Sequence, residues 1–143
     1  MTITEAEVRA LGDRFFQTVA DGGNAADQAA FFVFPESRIY VMEGGETIGF
    51  EQHQRLHRQW TNERHIFGDF NLTLLNGAPE RVRATGTVYW EAEYRDRPKP
   101  NVIKAVVGED WIVERTPSGA LKFVLYMNLF HHLLPGSAPL QLD

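Results

Sequence analysis

The sequence predicts an α+β fold, a curved antiparallel sheet with the N-terminal helices on one face. Three observations carry this expectation. Helical periodicity dominates the first sixty residues and extended periodicity most of the remainder. The stretch 81–94, RVRATGTVYWEAEY, alternates sides almost without fault, as a half-buried antiparallel strand does. Ten Phe, four Tyr and three Trp in 143 residues are generous, which suits a large core or an apolar cavity.

The elements follow in order. Thr4 and Glu7 form a capping box, and Val8, Leu11, Phe15 and Val19 then recur at helical spacing until Asp21-Gly22-Gly23 ends the helix. Asn24 can cap a second, shorter helix over 25–32, closed before Pro35. A strand is expected at 38–42, then a turn at Glu43-Gly44-Gly45-Glu46, and Gly49 leads into a third helix, FEQHQRLHRQW. At about 100° per residue, Phe50, His53, Leu56, His57 and Trp60 crowd one arc of that helix. Two histidines therefore point where the aromatics point. Strands are expected at 64–75 (closed by Asn76-Gly77), 81–94, 101–115 and 120–132, the last two joined through Thr116-Pro117-Ser118-Gly119. The chain reads as one domain, 1–143, in which 134–143 is a C-terminal tail carrying Pro135, Gly136 and Pro139.

Composition removes several function classes. The net charge of −5 argues against a nucleic-acid partner, which asks for a basic face. No apolar run approaches a membrane span, and the N-terminus lacks the basic and apolar regions of a signal peptide. With no cysteine there is no disulfide and no thiolate nucleophile. A cytoplasmic location with no membrane partner is the natural expectation. No phosphate loop, dinucleotide fingerprint or serine nucleophile motif is present.

Three features nominate a site. His53 and His57, four apart on one helix face, admit three readings: rings hydrogen-bonded at the core edge, pocket acid/base groups, or two ligands of a metal whose third ligand would be Glu109, Asp110 or His65. No HExxH pattern accompanies them, because position 54 is Gln, and no metal or other cofactor is assigned. Glu109 shares strand parity with Ile103, Ala105, Val107, Trp111 and Val113, an otherwise apolar set, whereas Asp110 sides with Lys104 and Glu114. Glu109 is thus the expected pocket carboxylate, with a pKa raised by burial unless a bulge swaps the faces. Tyr40, Tyr126 and Asn128 could line the pocket and supply donors, with Trp60, Trp90 and Trp111 as its apolar walls. His131 and His132 read as strand-end residues, and Phe123, Leu125, Met127 and Leu129 as one apolar strand face.

The order of these elements resembles the nuclear transport factor 2-like superfamily, in particular its SnoaL-like and ketosteroid-isomerase-like branch. The resemblance spans roughly residues 4–132. It rests on the first helix ending in Asp21-Gly22-Gly23, the short helix finishing in Phe31-Phe32, the strand at 38–42, the Gly49 turn and the closing hairpin EDWIVERTPSGALKFVLYMNLF. It implies a cone with a deep apolar pocket and a homodimer built on the sheet. It also implies binding of a small, largely apolar or carbonyl-containing molecule, with cofactor-free isomerisation, cyclisation or dehydration as the chemistry, or else a non-catalytic ligand-binding or dimerisation module. Phe15 and Phe16 stand where ketosteroid isomerases carry a donor tyrosine, and Val41 and Met42 where they carry the aspartate base. A true ketosteroid isomerase is therefore not expected. On this reading Glu109, His53 and His57 would carry the chemistry.

Overall fold

The computed structural model describes residues 2–142. Helix α1 (Glu5–Ala20) opens with the capping box: Glu7 N–H donates to Thr4 Oγ1 at 3.2 Å and Thr4 N–H to Glu7 Oε1 at 3.1 Å. Its buried stripe is Val8, Leu11, Gly12, Phe15, Phe16 and Val19. Gly12 lets the helix pack close on the sheet's aromatic rings, because a Cβ there would lie 2.8 Å from both Phe67 and Trp111. Helix α2 (Ala25–Ala29) is shorter than its pattern suggested, and Asn24 caps it. Helix α3 (Phe50–Arg58) buries Phe50 and Leu56.

The strands are β1 (Ile39–Val41), β2 (Glu46–Ile48), β3 (Trp60–Leu75), β4 (Arg81–Tyr94), β5 (Val102–Arg115) and β6 (Leu121–Leu133). They form one sheet in the order β2-β1-β6-β5-β4-β3. The sheet is mixed rather than wholly antiparallel, since β1 runs parallel to β6. That departure has a simple cause: β1 and β2 form a small hairpin around a 3-10 turn at Met42–Gly44, and β1 docks on the edge left by β6. The expected turn at 43–46 is that hairpin, so it hides a strand as well as a bend.

Two long strands are interrupted by bulges, and these decide which side chains face inward. In β3 the pairing with β4 slips between Thr61 and Arg64 and again between Phe67 and Phe70. Asn62 takes the first extra place with φ 50°, a left-handed conformation that asparagine tolerates. In β6 the pairing with β5 slips twice, at Val124 and at Leu129. The inward residues of β6 are consequently Phe123, Tyr126, Asn128 and His131, partners of Val113, Trp111, Glu109 and Val107 on β5. The apolar face expected from Phe123, Leu125, Met127 and Leu129 does not exist, because the bulge after Phe123 sends the other three to the opposite side.

Helices and the concave sheet face enclose an aromatic core. Trp111 is fully buried and packs against Phe16, Phe67, Phe70, Phe123 and Tyr126. The convex face carries ion pairs instead: Arg83 with Asp110 at 2.6 Å and Arg81 with Glu114 at 2.8 Å. Among the described residues no helix is long and apolar enough to cross a membrane.

Candidate functional site

A cavity opens between the concave sheet face and the helices, bounded by Phe15, Phe16 and Val19 of α1, His53, Leu56 and His57 of α3, and inward residues of all six strands except β2's first two. Its walls are aromatic and aliphatic, and its polar groups fall into two sets.

The first set is built on Glu109. Strand β5 alternates without a bulge of its own, so the parity that groups Glu109 with Trp111 and Val107 places its side chain inside, where it is 3% exposed. Asn128 Nδ2 donates to Glu109 Oε2 at 2.6 Å, and Trp111 Nε1 donates to the same oxygen at 3.2 Å. Among the described residues neither bond reaches Oε1, and Glu109 lines the cavity. Burial pushes the Glu109 pKa up to about 8, against the opposing pull of the Trp111, Asn128 and Tyr126 donors. Tyr126, beside it, is held well above the usual phenol value by burial and by the Glu109 charge.

The second set is a hydrogen-bonded row crossing from α2 to β4. Gln28 is fully buried, and its amide nitrogen donates to the carbonyls of Gly23 (3.1 Å) and Phe50 (3.2 Å). Its Oε1 lies 2.8 Å from His53 Nδ1. His53 Nε2 faces His57 Nε2 at 3.1 Å, the two rings nearly perpendicular. His57 Nδ1 lies 2.9 and 3.0 Å from the two oxygens of Glu63, and Trp90 Nε1 donates to Glu63 Oε1 at 3.0 Å. The helical repeat explains the histidine pair, since residues four apart stack on one face. The Asn62 bulge explains Glu63: had β3 kept strict alternation through Asn62, the Glu63 side chain would point away from α3.

Electrostatics divide this row. Burial, then the neighbouring His57 and His65, hold His53 well below the usual histidine range. Burial alone would raise Glu63, but the hydrogen bond and charge of His57 with the Trp90 donor bring it below the usual carboxylate value. His65, stacked on Phe16 with ring centroids 4.2 Å apart, is lowered by burial to about 4 despite Glu63 nearby.

His53, His57, Glu109, Trp60, Trp90, Tyr126 and Asn128 all line the cavity. Two residues expected there do not. Tyr40 is 37% exposed and points away from the interior, because Ile39 and Val41 occupy the inward positions of the three-residue β1. Trp111 lies behind the wall, where it supports Glu109 and fills the space under α1 rather than meeting the cavity. Trp60 lines the cavity from the first position of β3, not from α3, and its Nε1 is buried without a partner among the described residues. His131 is a cavity residue, not merely a strand end: the Leu129 bulge turns it inward, and Glu43 Oε2 accepts from its backbone N–H at 3.0 Å and sits 3.1 Å from its Nδ1.

Gln28 and Glu63 are the participants that pattern reading missed. The signal for them was indirect: two inward histidines have four ring nitrogens, and buried ones need partners. Among the described residues no group of three or more acidic, histidine or cysteine side chains is arranged to hold a metal ion.

Comparison with known proteins gives a fold. No protein-family model matches the chain, and no curated protein matches it. Solved structures do. A hexachlorocyclohexane dehydrochlorinase, LinA-type3 of Novosphingobium barchaimii, is 18% identical, with 95% of this chain and 93% of that one covered at a TM-score of 0.61. A Catenulispora acidiphila protein in complex with S-DNPA is also 18% identical, covering 86% and 91% at 0.61. A ketosteroid isomerase-like protein of Erwinia carotovora atroseptica is 8% identical, covering 88% and 96% at 0.58.

Proposed function

From the nuclear transport factor 2-like fold that this chain has, we propose that the cavity binds a small, largely apolar molecule bearing a carbonyl and moves a proton on the carbon beside it, without a cofactor. The observation that carries the reading is Glu109: a carboxyl buried among aromatic walls, lining the cavity and held at Oε2 by Asn128 and Trp111. A pKa of about 8 keeps both of its forms within reach near neutral pH. In the ionised form the carboxylate takes the proton from carbon, and in the neutral form it returns it at a second position or to a leaving oxygen. The charge that develops on the substrate oxygen is offset by the His53–His57 imidazole pair, which lines the same cavity. Isomerisation, cyclisation and water loss share this first step and differ only in where the proton goes next.

The neighbours support the reading in kind. One is named for eliminating hydrogen chloride, one is called isomerase-like and one holds a small molecule. The test uses small aryl ketones. Quenching of Trp60 and Trp90 fluorescence reports binding, and deuterium uptake from D2O at the carbon beside the carbonyl reports proton transfer. The expected result is binding with exchange that rises as pH approaches about 8, and loss of exchange with retained binding in Glu109→Gln. Binding without exchange across the series would favour a non-catalytic ligand-binding module. No binding would overturn the reading.

A further inference from the structure

The row Gln28–His53–His57–Glu63 has hydrogen-bond polarity fixed at both ends. At one end the Gln28 amide cannot be reversed, because its nitrogen already faces two carbonyl oxygens, Gly23 and Phe50. An oxygen placed there would meet two acceptors and no donor. Gln28 Oε1 therefore faces His53, and Nδ1 of that ring must carry a hydrogen. At the other end Glu63 accepts from Trp90, and both of its oxygens lie within 3.0 Å of His57 Nδ1, so that nitrogen must donate as well. Between them, two Nε2 atoms 3.1 Å apart need one hydrogen, not two and not none.

The count is then three hydrogens on four ring nitrogens, one more than two neutral imidazoles hold. We propose that Gln28 is a positioning residue that fixes the His53 tautomer, and that the pair in consequence holds one extra proton at neutral pH, as a His57 imidazolium donating to a neutral His53. A proton on Glu63 would satisfy the same count. However, imidazole is the stronger base by about two pK units, and the Glu63 oxygens already face the Trp90 and His57 N–H groups.

The other groups around the pair agree with this placement. His53 sits farther from the carboxylate and is stacked on Phe15, so the charge belongs beside Glu63. From β3 Glu63 bonds His57 and His65 lines the same cavity, as do Glu109 of β5 and Tyr126 and His131 of β6. Helix α1 contributes only apolar side chains to this wall. Glu63 is the one of these with a direct bond to either imidazole besides Gln28.

The inference does not depend on catalysis, and neither does its test. Protein labelled with ¹⁵N in histidine is observed at pH 7 through the two- and three-bond couplings of each ring. The expected pattern is an imidazolium for His57 and, for His53, a protonated Nδ1 with a bare Nε2. Gln28→Met removes the acceptor, so His53 is free to carry its hydrogen on Nε2. The imidazolium pattern should then be lost at pH 7. Two neutral rings in the wild type would overturn the proposal, as would an imidazolium that survives unchanged in Gln28→Met. If Gln28→Met does not fold, the wild-type pattern alone decides.

Discussion

Asn128 and Glu109 face each other across β5 and β6 at 2.6 Å, amide to carboxyl. The amide steadies one oxygen of a buried acid without supplying a positive charge, so burial still governs its proton. Folding raises this carboxyl from 4.5 to about 8. Between those values the folded chain holds a proton that the unfolded chain releases, and stability must fall as pH rises through that window. Replacing Glu109 by Gln removes the dependence. The advantage of Glu109→Gln over wild type is expected to grow by about 3 kcal/mol between pH 4.5 and pH 7, at about 1.4 kcal/mol per pH unit. Urea melts at the two pH values check it, and an equal difference at both would mean that Glu109 is not a buried acid.

Glu63 should behave in the opposite sense. Its carboxyl is lowered by folding, so the stability it contributes is present above the unfolded value and is lost as pH falls through the folded one. Glu63→Gln leaves the His57 side chain without its counter-charge and should cost about 3 kcal/mol at pH 7. The cost should shrink in acid. Thermal or urea denaturation at pH 7 and pH 4 measures both, and a cost that does not change with pH would assign Glu63 a packing role only.

Trp111→Ala should cost about 3–5 kcal/mol by opening a cavity beneath α1. The ring is fully buried, stacks on Tyr126 at 5.5 Å between centroids and meets Phe16, Phe67, Phe70 and Phe123. A loss below about 1 kcal/mol in denaturant melts would show that the surrounding aromatics collapse into the gap.

Leu129, Phe130 and Leu133 at the end of β6 are exposed, as are Ile66 of β3 and Tyr40 of β1. Large apolar side chains left on a sheet favour a partner of the same kind. Sedimentation at micromolar concentration is expected to show twice the 16.3 kDa chain mass. A species at the chain mass alone would remove the homodimer.

How much of this was legible depended on where the strands keep strict alternation. In β4 and β5 they do, so parity alone separates Glu109, inside, from Asp110, which pairs with Arg83 outside. In β3 and β6 they do not. The extra residues at Asn62, Val124 and Leu129 have side chains that a two-residue period cannot distinguish from their neighbours, and each reverses the faces beyond it. Glu63 and His131 were hidden for that reason. Gln28 was hidden for another, because α2 is a single short turn whose inward position follows from its docking on α3 rather than from periodicity. The mixed sheet escaped because β1 and β2 are three residues each, too short to show which way they pair.

The bulges of β6 also set how such a cavity can change over generations. Phe123, Tyr126, Asn128 and His131 face inward at steps of three, two and three, and Gly108 gives the Phe130 ring room beside the second step, where a Cβ would lie 2.3 Å from it. Loss of one codon at Leu129 would close the bulge and leave Asn128 on Glu109 and His131 on Val107. Loss at Val124 would likewise keep Phe123 on Val113 and Tyr126 on Trp111. Single-residue deletions, usually ruinous inside a strand, are absorbed at these two points without changing which side chains line the wall. Relatives that share the scaffold are therefore expected to differ in β6 by length at these points while keeping the same inward set.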